Sequence, residues 1–189
     1  MKPGQQPNIC KIKWAVAGYN AVANVVWSVL NLTPAFIFCY RFVPATLLLI
    51  FLATSLLTAF LPNSFFYRMQ LSKTKNIYQK LGVGFVNKFT QNGEIINKLI
   101  RRRFPEYKVV STGKRSVKKA LGQTFMFEKF HFILFMLFSC LTVYASLKNY
   151  YLWAFILLIT NLLYNIYPCL LQQYIRLRLL AAVKRHHLV

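Results

Sequence analysis

The chain reads as an all-α integral membrane protein, with four transmembrane helices and a basic, partly helical interfacial cytoplasmic loop between helices 2 and 3. Three observations predict this. The 189 residues are 57% hydrophobic yet carry a formal net charge of +21, a combination foreign to ordinary soluble domains. Charge and apolar sequence are segregated, with 14 of the 24 Lys and Arg lying between Asn63 and Gln123. Finally, four apolar runs approach the roughly 20 residues that a helix needs to cross a bilayer.

Taken in order, the spans are predicted at about 14–40, 44–61, 130–147 and 150–171, in a single membrane domain covering 1–189. Lys11 and Lys13 before an apolar run containing Ala21, Val22 and Ala23 invite comparison with a signal peptide. The sequence stays apolar through Tyr40, however, so the segment is read as a span. Thr33 and Pro34 form a second good helix start, which leaves the first turn either there or near Arg41.

Orientation follows from the cations. The tail 1–13 has Lys2, Lys11 and Lys13, the loop 62–125 has its 14, and the tail 172–189 has Arg176, Arg178, Lys184 and Arg185. The two opposite connections hold only Arg41 and Lys148. Both termini and the loop are therefore expected on the cytoplasmic side of the cell membrane. The same rule accounts for the basic pI without nucleic acid, which is not expected as a partner. Cys10, Cys39, Cys140 and Cys169 have neither zinc-ligand nor disulfide spacing and read as small apolar residues.

In the first span Asn20, Asn24 and Asn31 recur at steps of four and seven, one helical face. Amides in lipid seek partners on neighbouring helices, so they serve as interhelical glue or as substrate contacts. In the loop, Ile77, Leu81, Phe85 and Phe89 step by four, flanked by Lys73, Lys80 and Lys88, and Ile95, Ile96, Leu99 and Ile100 precede a triple arginine. That pattern suits helices lying among anionic lipid headgroups, either as plain anchors or as the floor of a site for an anionic or amphiphilic substrate. Gly82, Gly84 and Gly93 argue against one unbroken helix.

The chain has three acids, Glu94, Glu106 and Glu128, and only Glu128 adjoins an apolar span that also holds a histidine. Spacing of three puts Glu128 and His131 on one helix face. The link at Lys148 and Asn149 is so short that the last two spans should be antiparallel neighbours. Counting 17 residues outward from that link sets His131 level with Asn165, and Glu128 near Cys169 and Gln172. Asn161, Asn165, Gln172 and Arg176 are spaced four, seven and four apart, one face interrupted by Pro168. Aligned polar groups inside a span line a cavity or form a tight interhelical network. Tyr174 and Arg178 lie just off that face. His186 and His187 sit in a basic tail with no third ligand to suggest a metal.

At these residues the chain resembles the glycosyl-4,4'-diaponeurosporenoate acyltransferases, small bacterial membrane proteins of staphyloxanthin-type carotenoid synthesis. The resemblance runs from about Pro62 to Leu179. It is carried by Glu128 and His131 preceded by Gln123 and Thr124, by Asn165, Pro168, Gln172, Tyr174, Arg176 and Arg178, and by the loop motif Tyr78, Leu81, Gly82 and Val83. Gln173 and Ile175 stand where the family has arginine and asparagine, and Gln123 where an acid is common.

The resemblance implies transfer of a fatty acyl group to a hydroxyl of a glycosylated lipid or carotenoid at the cytoplasmic leaflet of a bacterial inner membrane. No cofactor is implied beyond an acyl donor such as acyl-CoA as co-substrate. In that reading His131 removes the hydroxyl proton and Glu128 orients the ring. Asn165 and Gln172 donate to the developing oxyanion, and Arg176 and Arg178 hold the donor's phosphates. Gln123, Thr124 and Tyr174 join them as substrate-binding residues. The competing reading is a non-enzymatic multi-pass subunit that binds a lipid or a membrane-protein partner, with Glu128 merely paired to an arginine across two helices.

Overall fold

The computed structural model describes residues 6–90, 93–105 and 114–187. Glu106 and Lys108 of the expected basic loop lie outside them. Every regular element among the described residues is helical: α1 (Gln6–Phe42), α2 (Ala45–Leu57, tightening into a 3-10 turn over Thr58–Phe60), α3 (Asn63–Arg68), α4 (Lys75–Lys80), α5 (Val83–Val86), α6 (Glu94–Arg103), α7 (Lys114–Leu147), α8 (Tyr151–Asn161) and α9 (Tyr167–His187). A π-helical turn, Leu162–Ile166, joins α8 to α9.

Three helical stretches are long and apolar enough to cross a membrane: Cys10–Phe42, Ser116–Leu147 and Tyr151–Ala181. The second expected span differs. Ala45–Phe60 is apolar but short; its α-helical turns and its 3-10 turn rise together about 26 Å, against roughly 30 Å of hydrocarbon. Two further boundaries move. α7 begins at Lys114, so residues placed in the loop up to 125 are the first turns of a long helix, and α9 continues to His187 through most of the expected tail.

Pro34 sits inside an unbroken α1, and the first turn falls after Phe42, where Pro44 adopts an extended conformation before α2. The Tyr144 hydroxyl donates to the Phe42 carbonyl at 2.9 Å, fastening that turn to α7. Around it Phe38, Phe138, Leu141, Ala145 and Leu157 form a closed core, edged by Phe42 and Trp153. Burying one such side chain is worth about 1.5–3 kcal/mol against water, though against lipid only close packing counts. The α7–α8 connection is tight because Asn149 takes a left-handed φ of 61°, which asparagine tolerates better than most residues.

The loop helices are fastened at the other end of the bundle. Gly82, at φ 71°, separates α4 from α5. Tyr78 and Val83 on either side of it are buried against Leu171 and Tyr174 of α9. Ile77, Leu81, Phe85 and Phe89, the stripe expected to face lipid, are exposed. α1 reaches the same end: the Trp27 indole donates to the Phe89 carbonyl at 3.2 Å, and its ring lies 5.5 Å from that of Tyr164.

Candidate functional site

Two polar layers cross the bundle where α7 faces α9 and the π turn. The first is built on Glu128, 2% exposed. Its Oε1 accepts from Gln173 Nε2 at 2.8 Å, and its Oε2 is paired with Nη2 of the fully buried Arg176. The Arg176 guanidinium lies over two rings, 4.0 Å from the centroid of Phe125 and 5.3 Å from that of Tyr67. Those rings shield it and hold its plane.

Gln173 ties this pair to the loop. Its Oε1 accepts from the Leu71 backbone N–H at 3.1 Å and from the Tyr78 hydroxyl at 2.9 Å. The Tyr78 oxygen in turn accepts from the Ser72 N–H at 3.1 Å. Burial pushes the Tyr78 phenol above its usual range, the largest influence on it, so the hydroxyl stays protonated and donating. Cys169 points its Sγ at the Glu128 carbonyl, 3.6 Å away.

Next comes the amide layer, three residues further along α7. The half-buried His131 imidazole faces the Asn165 side chain and the Tyr164 carbonyl, and its Nδ1 is buried with no hydrogen-bond partner. Pro168 has no N–H to offer the carbonyl four residues before it, which is that of Tyr164. The π turn immediately before Pro168 is the usual accommodation of such a break. Asn165 is held from two sides: its Oδ1 accepts from Asn31 of α1 at 3.5 Å, and its Nδ2 donates to Asn161 Oδ1 at 2.9 Å. Asn161 then donates to the Phe135 carbonyl and to Ser139 Oγ, each at 3.2 Å. A chain of amides thus links α1, α8 and α7.

Several expectations change here. His131 does lie beside Asn165, and Glu128 beside Cys169. The Glu128 carboxylate, however, is bonded to Gln173 and Arg176, so it does not orient the imidazole; Asn165 stands in that place. Gln173, which the helical spacing did not single out, is the partner expected in Gln172, itself only half-buried. Arg176 is sealed beneath Phe125 and Tyr67 and bound to Glu128, which corrects its assignment to a donor's phosphates.

Arg178 is exposed, its guanidinium 5.8 Å from the buried Tyr174 ring. Thr124 is buried, with its hydroxyl donating to the Leu121 carbonyl of its own helix at 2.7 Å, whereas Gln123 is exposed and apart from both layers. Of the asparagine face on α1, Asn31 meets Asn165, Asn20 is buried and Asn24 is exposed.

The fold and these layers define a helical membrane protein with several candidate spans and a histidine, flanked by amides, beside a buried ion pair. The chain belongs to the CrtO family, glycosyl-4,4'-diaponeurosporenoate acyltransferase, whose profile matches residues 62–185, more than half of its 189. Helices α1 and α2 precede the matched region. No curated protein and no solved structure matches the chain. Membership supports an acyltransferase, and the match contains both Glu128 and His131 together with their partners on the π turn and α9.

Proposed function

We propose that the chain is a membrane acyltransferase that moves a fatty acyl group from a thioester donor to a hydroxyl of a glycosylated lipid or carotenoid at the cytoplasmic leaflet. Both termini and α3–α6 face the cytoplasm of a bacterial cell in this reading, and α2 is the fourth crossing, tilted little in a locally thinned bilayer. The observation that carries the proposal is the imidazole of His131, whose Nδ1 is buried without a hydrogen-bond partner while the ring lies beside Asn165 and the Tyr164 carbonyl.

With the ring proton directed to Tyr164, Nδ1 is the base. It takes the acceptor's hydroxyl proton as the oxygen attacks the acyl carbonyl. Collapse of the tetrahedral oxyanion breaks the carbon–sulfur bond, and the leaving thiolate recovers the proton from the imidazolium. Gln172, half-buried and outside the Glu128 cluster, supplies N–H donors to the oxyanion. Arg178, exposed at the rim, is the remaining α9 cation for the donor's phosphates. Glu128 takes no proton in this scheme and serves to fix α7 against α9.

One observation favours the second reading, a non-enzymatic membrane subunit that binds a lipid or a protein partner: the Glu128–Arg176 pair is closed off on all sides. Profiling the lipids and pigments of cells with the chain, without it and with His131→Ala separates the two. The enzyme reading expects one acylated species to disappear, and its unacylated precursor to accumulate, equally in the last two. A His131→Ala profile identical to that of the unaltered chain, at equal protein level, would falsify it.

A further inference from the structure

A cavity of about 630 Å³ between the start of α1 and the end of α6 has no part in that reaction. Cys10, Lys11, Trp14, Ala15, Arg103 and Phe104 line it. Two separate helices, α1 with Lys11 and α6 with Arg103, each bring a cation to one space. No carboxylate is among the lining residues described. The carbonyl end of α6 adds only about half a negative charge, far less than these cations together. Left empty, the cavity sets like charges against one another; an anion relieves that repulsion.

The space is open to its surroundings, and its lining combines charge with aromatic surface. The Arg103 guanidinium lies 5.8 Å from the centroid of the Phe104 ring, which restrains its fork of donors. Trp14, 75% exposed, presents an indole on the facing helix. A fork, an ammonium and two aromatic surfaces suit a phosphate carried on an organic group better than a bare ion.

We propose that this cavity binds a phosphate ester, with Lys11 and Arg103 on the phosphate and Trp14 and Phe104 against the group that bears it. Such an ester reaches it either as a phospholipid headgroup or as a soluble nucleotide. The proposal stands apart from the acyl-transfer reading, since neither His131 nor Glu128 enters it and its readout is binding.

The test uses the full chain in phosphatidylcholine nanodiscs with Trp27→Phe and Trp153→Phe, leaving Trp14 as the remaining indole of three. Adenosine diphosphate is titrated in one arm, and phosphatidic acid is varied within the disc in the other. A saturable change in Trp14 emission is expected in at least one arm, and that arm identifies the source. Replacing Lys11 and Arg103 with Gln should weaken the response at least about tenfold, the loss of one charge-assisted contact or more. Replacing the exposed Lys73 and Lys80 with Gln removes the same charge elsewhere and should change it by less than about twofold. No saturable change in either arm overturns the proposal, as does an equal loss in both double variants, which would mean diffuse attraction to a basic surface.

Discussion

The Glu128 layer and the His131 layer lie three residues apart on α7, about 4.5 Å along its axis, and differ in what they leave unused. Around Glu128 both carboxylate oxygens are occupied, and both polar atoms of the Gln173 amide are bonded. What stays unbonded there is Nε and Nη1 of Arg176, donors only, held among the Phe125 and Tyr67 rings. Around His131 the amides are chained to one another, yet the imidazole Nδ1 has no partner. A buried carboxylate requires full compensation wherever it lies. A neutral imidazole nitrogen can be left unpaired at a smaller penalty, and unlike the Arg176 donors it carries a lone pair able to take a proton. In the proposed reaction the first layer holds α7, α9 and the loop together, and the second carries the chemistry.

The largest effect that would sharpen this contrast is on folding. Arg176→Ala strands a buried carboxylate, so stability should fall by about 3–5 kcal/mol, read as loss of membrane-inserted protein or a lowered melting temperature. His131→Ala should leave melting nearly unchanged while acyl transfer falls by about 10²–10⁴, the usual contribution of a general base. A reversed pattern, with His131→Ala unfolding the protein and Arg176→Ala merely slowing it, would break the assignment.

Smaller effects are expected at the supporting residues. Gln173→Leu removes three hydrogen bonds, to Glu128, Leu71 and Tyr78, and should cost about 1–3 kcal/mol of stability, with α4 and α5 becoming faster in hydrogen exchange. Asn31→Ala removes one long bond to Asn165. Because Asn165 stays tied to Asn161, acyl transfer should drop by no more than about tenfold, roughly one hydrogen bond's worth. Arg178→Gln, at an exposed site, should alter stability by less than about 0.5 kcal/mol; any larger consequence should appear in the apparent affinity for the acyl donor.

Much of this arrangement is legible in the sequence, and the failures have identifiable causes. The antiparallel count through Lys148 and Asn149 sets His131 beside Asn165 because only a two-residue link separates two regular helices there. It fails one turn later, choosing Gln172 over Gln173, because the π turn at Leu162–Ile166 inserts an extra residue and rotates everything beyond it by about 100°. Pro168 marks the break without revealing its size.

Hydropathy locates the apolar helices but does not decide the role of α2, since apolar composition does not distinguish a short crossing from a helix packed on α7. It understates α7 and α9, whose first and last turns are basic and continue the helices past the apolar stretch. Spacing of three on α7 correctly puts Glu128 and His131 on one face. Which partner each chooses depends on Arg176, Gln173 and Tyr78 converging from two other elements, and no local pattern contains that.

The division of labour between the layers is tested most directly by acyl-transfer rates in nanodiscs for two variants of matched melting temperature. One is Glu128→Leu with Arg176→Met, which replaces the ion pair by apolar volume, an exchange that buried pairs often tolerate. The other is His131→Ala. The account predicts that the first retains transfer within about threefold to tenfold of the unaltered protein, while the second loses at least about a hundredfold. Loss of transfer in the pair replacement, with transfer intact in His131→Ala, would contradict it.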